Sequence, residues 1–423
     1  MTEKLHSVAT DTFRSLKHRN FRLYFSGQLI SQTGTWLSMV TQTLLVLKLT
    51  NSGVALGLLT AFQFGPILLL GPWGGAVADR MDKRKLLITV QAFAMAQSFA
   101  LGLAILADVA SVPVIFALAG LQGTLNAFDN PTRRAFVVEM VPSKDLPNAV
   151  SLNSAVMTGS RVIGPAIAGG LILTVGYGWP FIIDALSYIA VIAGLAMMKP
   201  AELNRTTPVP KKPGAVKEGL RYIHSEPHLF VPLVMTAIIG TFAFNFSVTM
   251  PLLVDGPLNG GTGSFTLLFS VLSVGSLVGA LATARRTAIN PDHLVKAATG
   301  FAIAMALVAI SPNMWTAFPA AVLVGLASMA FMTTSTAMVQ LLAGAEYRGR
   351  VLAIQAMVFL GSTPIGGPTI GWISETLGPR AGIATGAIAC LAAAGYGTRN
   401  LQAGVDLTTS VETMTVIPAK RTA

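Results

Sequence analysis

Charged side chains are scarce in this sequence. Asp, Glu, Lys and Arg make up 11% of its 423 residues and apolar ones 52%, whereas a soluble domain carries about 25% charged residues. That leaves too little polar surface to wrap a core in water, so a globular protein in water is excluded and lipid is the expected solvent. Cysteine is nearly absent. The single Cys390 lies in an apolar run, so no disulfide framework holds the fold. The opening stretch MTEKLHSVATDTFRSLKHRN lacks the apolar core and cleavage site of a signal peptide, which leaves insertion to the first apolar span. No G-x-x-x-x-G-K-[ST] element occurs, so an ATP-driven pump would need a separate subunit. Histidine is confined to His6, His18, His224, His228 and His293, all in tails or connections. His224 and His228 share an i, i+4 spacing, but no carboxylate or thiolate accompanies them, so neither a metal site nor a cofactor is expected.

What the chain has in abundance is apolar runs long enough to cross roughly 30 Å of hydrocarbon. Twelve are read, at 24–49, 54–78, 86–107, 112–132, 149–174, 179–198, 229–254, 265–284, 294–311, 314–340, 350–373 and 378–397. The fold class is therefore all-α, a polytopic membrane protein. Its expected organisation is a six-helix bundle with a tail over 1–198, a basic Pro-rich linker over 199–228, a second six-helix bundle over 229–398 and a tail over 399–423. Within the linker, AVKEGLRYIH is expected to form a short amphipathic piece. The formal net charge of +11 invites a nucleic-acid reading, but its placement argues against one: the cations fall in short clusters between spans, with no basic stripe interleaved with aromatics. They fall almost entirely on one side of the twelve-span topology. Lys48 and Arg380 alone lie on the other, and Arg161 is left inside a span. That asymmetry predicts a cytoplasmic-membrane protein with both termini in the cytoplasm.

The two halves resemble each other. GSRVIGPAIAGGLI from Gly159 aligns without a gap on GSTPIGGPTIGWI from Gly361, and GAVADR from Gly75 on GALATA from Gly279. Parallel six-span repeats predict a substrate site near the midplane, between halves that rock against each other.

Between spans two and three stands Gly75-Ala-Val-Ala-Asp79-Arg80-Met-Asp82-Lys83-Arg84-Lys85. Gly75 permits close packing at a sharp turn, Asp79 can accept hydrogen bonds from a helix amino terminus, and Arg80, Lys83 and Arg84 can pair with it or with lipid phosphate. Here the chain resembles the major facilitator superfamily, whose signature reads G-x-x-x-D-R-x-G-R-R; Asp82 replaces the second glycine. The resemblance implies that Asp79 is a gate residue latching the halves at the inner face, near Arg350 at the start of span eleven. Span five, with FDNPTRRAF, FNFSVTMP and YRGRVLAI elsewhere, resembles the branch containing enterobactin exporters and multidrug or macrolide efflux proteins, over about 20–400. Its Gly164-Pro165 and Gly169-Gly170 are similar to the G-P-x-x-G-G element of proton antiporters, with one residue more between the pairs. The R-x-x-Q-G element of proton-coupled relatives keeps Gln122-Gly123 but has Ala119 in place of arginine.

Three sets of residues stand out inside the spans. Gly159, Gly164 and Gly169 form a flat strip for helix contact and Pro165 a kink, serving packing or coupling. Arg161 lies near mid-membrane, where an arginine is costly and needs a partner. Asp184 is the first candidate and Asp129 the second, the pair being either a structural tie or a proton-coupling device. Gln28, Gln32, Thr35, Met39 and Gln42, with Trp36 beside them, form one polar face of span one. Gln122 and Asn126 in span four, Thr241 and Asn245 in span seven, and Met332 and Thr336 in span ten extend the set. They either line a cavity for a large, partly apolar ligand or bond helix to helix. Enzyme constellations are missing. The expected protein is a monomeric secondary transporter exporting a small amphipathic compound, with protons as coupling ion and the bilayer as its environment. An importer, a dedicated siderophore exporter and a non-transporting membrane enzyme or receptor are the rivals.

Overall fold

A computed structural model describes residues 12–204, 215–285, 290–344 and 346–401, and among these residues there is no strand. A short 3-10 turn at Arg14–Lys17 leads into the first half: α1 (Arg19–Thr50), α2 (Gly53–Arg80), α3 (Lys83–Leu106), α4 (Val112–Met140), α5 (Leu146–Val175) and α6 (Gly178–Ala196). A separate helix, α7 (Ala215–Ser225), precedes the second half. That half contains α8 (Pro227–Phe242), α9 (Phe246–Asp255), α10 (Thr262–Ala284), α11 (Pro291–Ile310), α12 (Met314–Leu342), α13 (Arg348–Thr376) and α14 (Pro379–Asn400). Among the described residues, eleven elements, with α8 and α9 taken as one from His228, are long and apolar enough to cross a membrane. The 32-residue α1 makes the twelfth passage; the polar face read from its sequence dilutes its hydropathy. The protein is a multi-pass membrane protein.

The helices turn where the sequence supplies backbone freedom or a cap. Asn51 ends α1 in the left-handed region at φ 47°, and the Ser52 side chain at once accepts from Ala55 N to start α2. Gly176, at φ 85°, separates α5 from α6. Buried hydroxyls are satisfied by the carbonyl four residues back, as at Thr41 to Leu37 (2.8 Å) and Thr132 to Phe128 (2.6 Å), which lets a polar residue sit inside a span.

Two spans differ from the expected ones. Span seven is broken at Ala243–Asn245. Asn245 Nδ2 donates to the Thr241 carbonyl at 2.7 Å, the acceptor its own backbone N–H would use in a continuous helix, so α8 stops and α9 restarts on Asn245. Span four runs on to Met140 instead of ending at 132. Arg133, expected in a connection, lies partly buried inside α4 as the i+4 partner of Asp129.

Each half packs its fifth helix on its first. A Cβ at Gly164 of α5 would lie 2.6 Å from Trp36 Cβ and 3.1 Å from Leu37 N of α1. At Gly366 of α13, its counterpart in the gapless repeat, a Cβ would meet the Thr241 carbonyl of α8. The contacts between halves are equally symmetric: α2 lies against α13, and α5 against α10.

Candidate functional site

The tightest contacts between the halves lie at one end. A Cβ on Gly53 would lie 2.5 Å from the Gly371 carbonyl oxygen, and Gly57 and Gly367 press backbone to backbone in the same way, with Thr60 against Gly367. Only glycines allow two helices to approach so closely. On the α5–α10 side, Gly169 lies against Thr266. Across this far end, remote from the amino-terminal tail, the Glu375 carboxylate of α13 accepts from Ser52 Oγ (2.6 Å) and Val54 N (2.9 Å) at the start of α2. An anion is thus set on the positive end of the opposite helix. Toward the tail-bearing end, contact is lost. Among the described residues nothing stands within 4 Å of a Cβ built on Gly65, Gly71 or Gly159, and Leu69 and Trp73 are 78% and 72% exposed. Backbone-to-backbone contact thus holds the halves together at the far end, whereas these described positions toward the tail-bearing end have no opposing helix against them.

α2 and α13 run antiparallel, with 53 against 371 and 57 against 367 and the Leu68 side chain reaching Gly361. Asp79 near the end of α2 and Arg350 near the start of α13 therefore both lie at the tail-bearing end. In this open state Arg350 instead pairs with Glu218 of α7 at 3.0 Å, while Tyr222 stacks on Tyr347 with ring centroids 4.3 Å apart. The amphipathic piece is therefore a brace on the second half. The basic run after Asp79 is used within the first half. Asp82 caps α3 by accepting from Lys85 N (3.1 Å), Lys83 pairs with Glu139 (2.7 Å), and Arg84 donates to the carbonyls of Leu195 and Ala196 at the end of α6 (2.6 and 2.8 Å). Lys83 and Arg84 are thus bonded to groups of the first half.

Arg161 and Asp184 are not brought together. The Arg161 guanidinium lies 4.9 Å from the centroid of the Trp36 ring. Asp184 Oδ2 accepts from Ser98 Oγ (2.9 Å), and its Oδ1 would be 2.7 Å from a Cβ on Gly34. Gly34 and Trp36 are two residues apart, about 200° around the helix, so α1 itself stands between the two charges. Depth alone suggested the pair, and depth ignores azimuth. Asp129, the second candidate, is taken by Arg133 and by Gln91, whose Nε2 donates to Oδ1 at 2.6 Å.

The polar face of α1 divides. Gln28 and Gln42 at its ends are buried against protein. Gln42 Oε1 accepts from Gln63 Nε2 (2.8 Å) and its Nε2 donates to the Ile115 carbonyl (3.4 Å), while Gln28 accepts from Gln32 (3.4 Å). Gln32, Thr35, Trp36 and Met39 between them remain partly exposed. Gln122 donates to Asn126 (3.4 Å), one turn on along α4, and Thr241 satisfies its hydroxyl on its own helix at Ala237 (2.7 Å). Met332 and Thr336 of α12 are partly exposed. Asn245 is buried, its Oδ1 without a hydrogen-bond partner among the described residues. Sequence reasoning missed Gln63, Gln91 and Glu375. The first two are lone amides in apolar runs, a signal as strong as that of Gln122, and Glu375 looks like an ordinary helix-end charge until α2 is seen beside it.

The family described as transmembrane secretion effector matches residues 10–411. The chain belongs to that family, within the major facilitator superfamily. Among curated relatives, the staphyloferrin A transporter of Staphylococcus aureus (strain NCTC 8325 / PS 47) is 26% identical over 358 residues, 82% of this chain and 87% of that protein. Macrolide efflux protein A of Streptococcus pyogenes is 21% identical over 83% of this chain and 89% of its own. The crystal structure of a bacterial homologue of the human lysosomal transporter Spinster, in an inward-facing and occupied conformation, superposes with a TM-score of 0.70 at 16% identity. The match covers 92% of this chain and 97% of that one, and at this identity it speaks for the fold alone. This is a transporter family, not an enzyme family.

Proposed function

We propose that this transporter exports a small amphipathic compound across the cytoplasmic membrane by alternating access, in exchange for protons. The observation that carries the reading is the one-ended closure: glycine-to-glycine contact and the Glu375 cap at the far end, an open cleft at the other. The positive-inside bias assigns the tail-bearing end to the cytoplasm, so this state would load from inside. Closing that end would bring the end of α2, with Asp79, toward the start of α13, and this shared placement at the tail-bearing end supports a latch with Arg350. Similarity to both a staphyloferrin A transporter and a macrolide efflux protein supports a bulky organic substrate over a sugar or an inorganic ion, and the stronger match favours a siderophore. Asp184 is the proton carrier in this scheme. It is a buried acid whose described bonds come from neutral groups, whereas Asp129 is neutralised by Arg133. Inverted vesicles containing the protein should accumulate substrate only when the lumen is acidic, and Asp184→Asn should abolish the dependence on the pH gradient while folded protein stays at wild-type level. Equal accumulation with and without the gradient in wild type would overturn proton exchange.

A further inference from the structure

The Arg161 site says more about the cargo than the overall fold does. Arg161 stands at the midpoint of the 30-residue α5, the most expensive depth for a cation in a membrane protein. Other charges inside the spans are held by protein groups: Arg133 with Asp129, Asp184 by Ser98. Arg161 has no carboxylate partner among the described residues; its close contact is the face of Trp36, and α1 screens it from Asp184. Its side chain remains exposed, on the inner half of α5 below the level where Gly164 and Gly169 lock that helix against α1 and α10. The polar residues on the same stretch of α1, Gln32 and Thr35, are neutral, so no acid there offsets the cation.

Water can solvate this guanidinium while the cleft is open. Closure of the tail-bearing end would expel that water and strand an unpaired charge in a low-dielectric site, a heavy penalty unless an anion enters with it. A carboxylate matches the planar fork of arginine with two parallel hydrogen bonds, and an apolar group joined to it can lie along Trp36 and Met39. From this, and resting on the transport reading above, we infer that Arg161 with Trp36 forms a binding site for a carboxylate-bearing organic anion. The transporter then selects against lipophilic cations.

The test holds shape constant and varies charge. The full-length protein in lipid nanodiscs is titrated with 2-naphthoate, the neutral 2-naphthamide and the cationic 2-naphthylmethylammonium, and binding is read from protein thermostability. The expected order in wild type is naphthoate tightest and the ammonium weakest. Arg161→Gln should weaken naphthoate roughly ten- to hundredfold, the loss expected for a charge-assisted hydrogen bond, and leave the amide unchanged. Arg161→Lys, which keeps the charge but not the fork, should fall between, and serves if the glutamine variant does not fold. Equal affinity for all three probes in wild type, or a naphthoate affinity that neither substitution alters, would overturn the assignment. Because this measurement needs no transport, its failure removes the anion site and leaves export to be judged in vesicles.

Discussion

At the scale of single residues, the charges that decide behaviour are those whose partners come from another element. Asp145, just before α5, receives the amino-terminal tail: His18 Nε2 lies 2.8 Å from Oδ2, Lys17 Nζ 3.2 Å and Arg14 Nε 3.5 Å from the same carboxylate. The hydrogen bond from His18, reinforced by Lys17, holds this carboxyl below the usual carboxylate range. A lowered folded pKa means the tail contacts are fully favourable above the unfolded value near 4, and are lost as pH falls through the lower folded value. Tail protection in hydrogen exchange should therefore be unchanged from pH 7 down to about pH 5 so far as Asp145 is concerned. Asp145→Asn should give the loss already at pH 7; normal protection of residues 14–20 in that variant would contradict the docking role. Which residues were chemically notable was legible in the sequence: Arg161, Asp184, Asp129 and Asp79 all stand out by type and depth. Their partners were not. A span read as a line gives depth but no azimuth, so Arg161 and Asp184 look adjacent when α1 separates them, and Asp129 looks available when Arg133, one turn away, has taken it.

At the scale of elements, close helix approach depends on glycine carbonyl faces rather than on the glycines of the span-five motif alone. At Gly57 of α2, in the far-end seam, an added Cβ would run into the Gly367 carbonyl oxygen. Backbone cannot yield by the needed ångström without parting the helices, and overpacking of this kind costs about 1–3 kcal/mol. Gly57→Val should shift the population toward a far-end-open state without destroying the fold. A cysteine replacing Thr60, which is buried against Gly367, in a Cys390→Ala background, serves as the reporter. Its labelling by a membrane-impermeant maleimide should be absent when Gly57 is retained and clear once Gly57→Val is added. Blocked labelling in both would mean that the seam does not hold the gate. Glycine positions were readable from the sequence, and the gapless repeat correctly equates Gly164 with Gly366 as the contact between fifth and first helices. Gly159, which shares their spacing, meets nothing in this state, because its turn of α5 belongs to the half of the helix beyond the inter-half contact. The break in α8–α9 was hidden for a different reason. Asn245 carries it through a side-chain bond to Thr241, and hydropathy is blind to hydrogen bonding.

At the scale of the whole molecule, the twelve passages and their pairing into two related halves followed from composition, the charge bias and the repeat, because bilayer thickness fixes span length and short turns force antiparallel neighbours. Which end opens did not follow, since one sequence would satisfy both states of the proposed alternating access. The account stands on those two states exchanging as one rigid-body movement. Spin labels across the far end at Asn51 and Leu377, and across the tail-bearing end at Trp73 and Met357, report the two gates separately in the Cys390→Ala background. The measurement is the pair of distance distributions by electron–electron double resonance in nanodiscs, with and without a bound substrate and at two values of pH. Alternating access predicts opposed changes: whenever the 73–357 distance shortens, the 51–377 distance lengthens, from a starting state that is short at 51–377. A protein in which both distances stay fixed, or lengthen together, would contradict it.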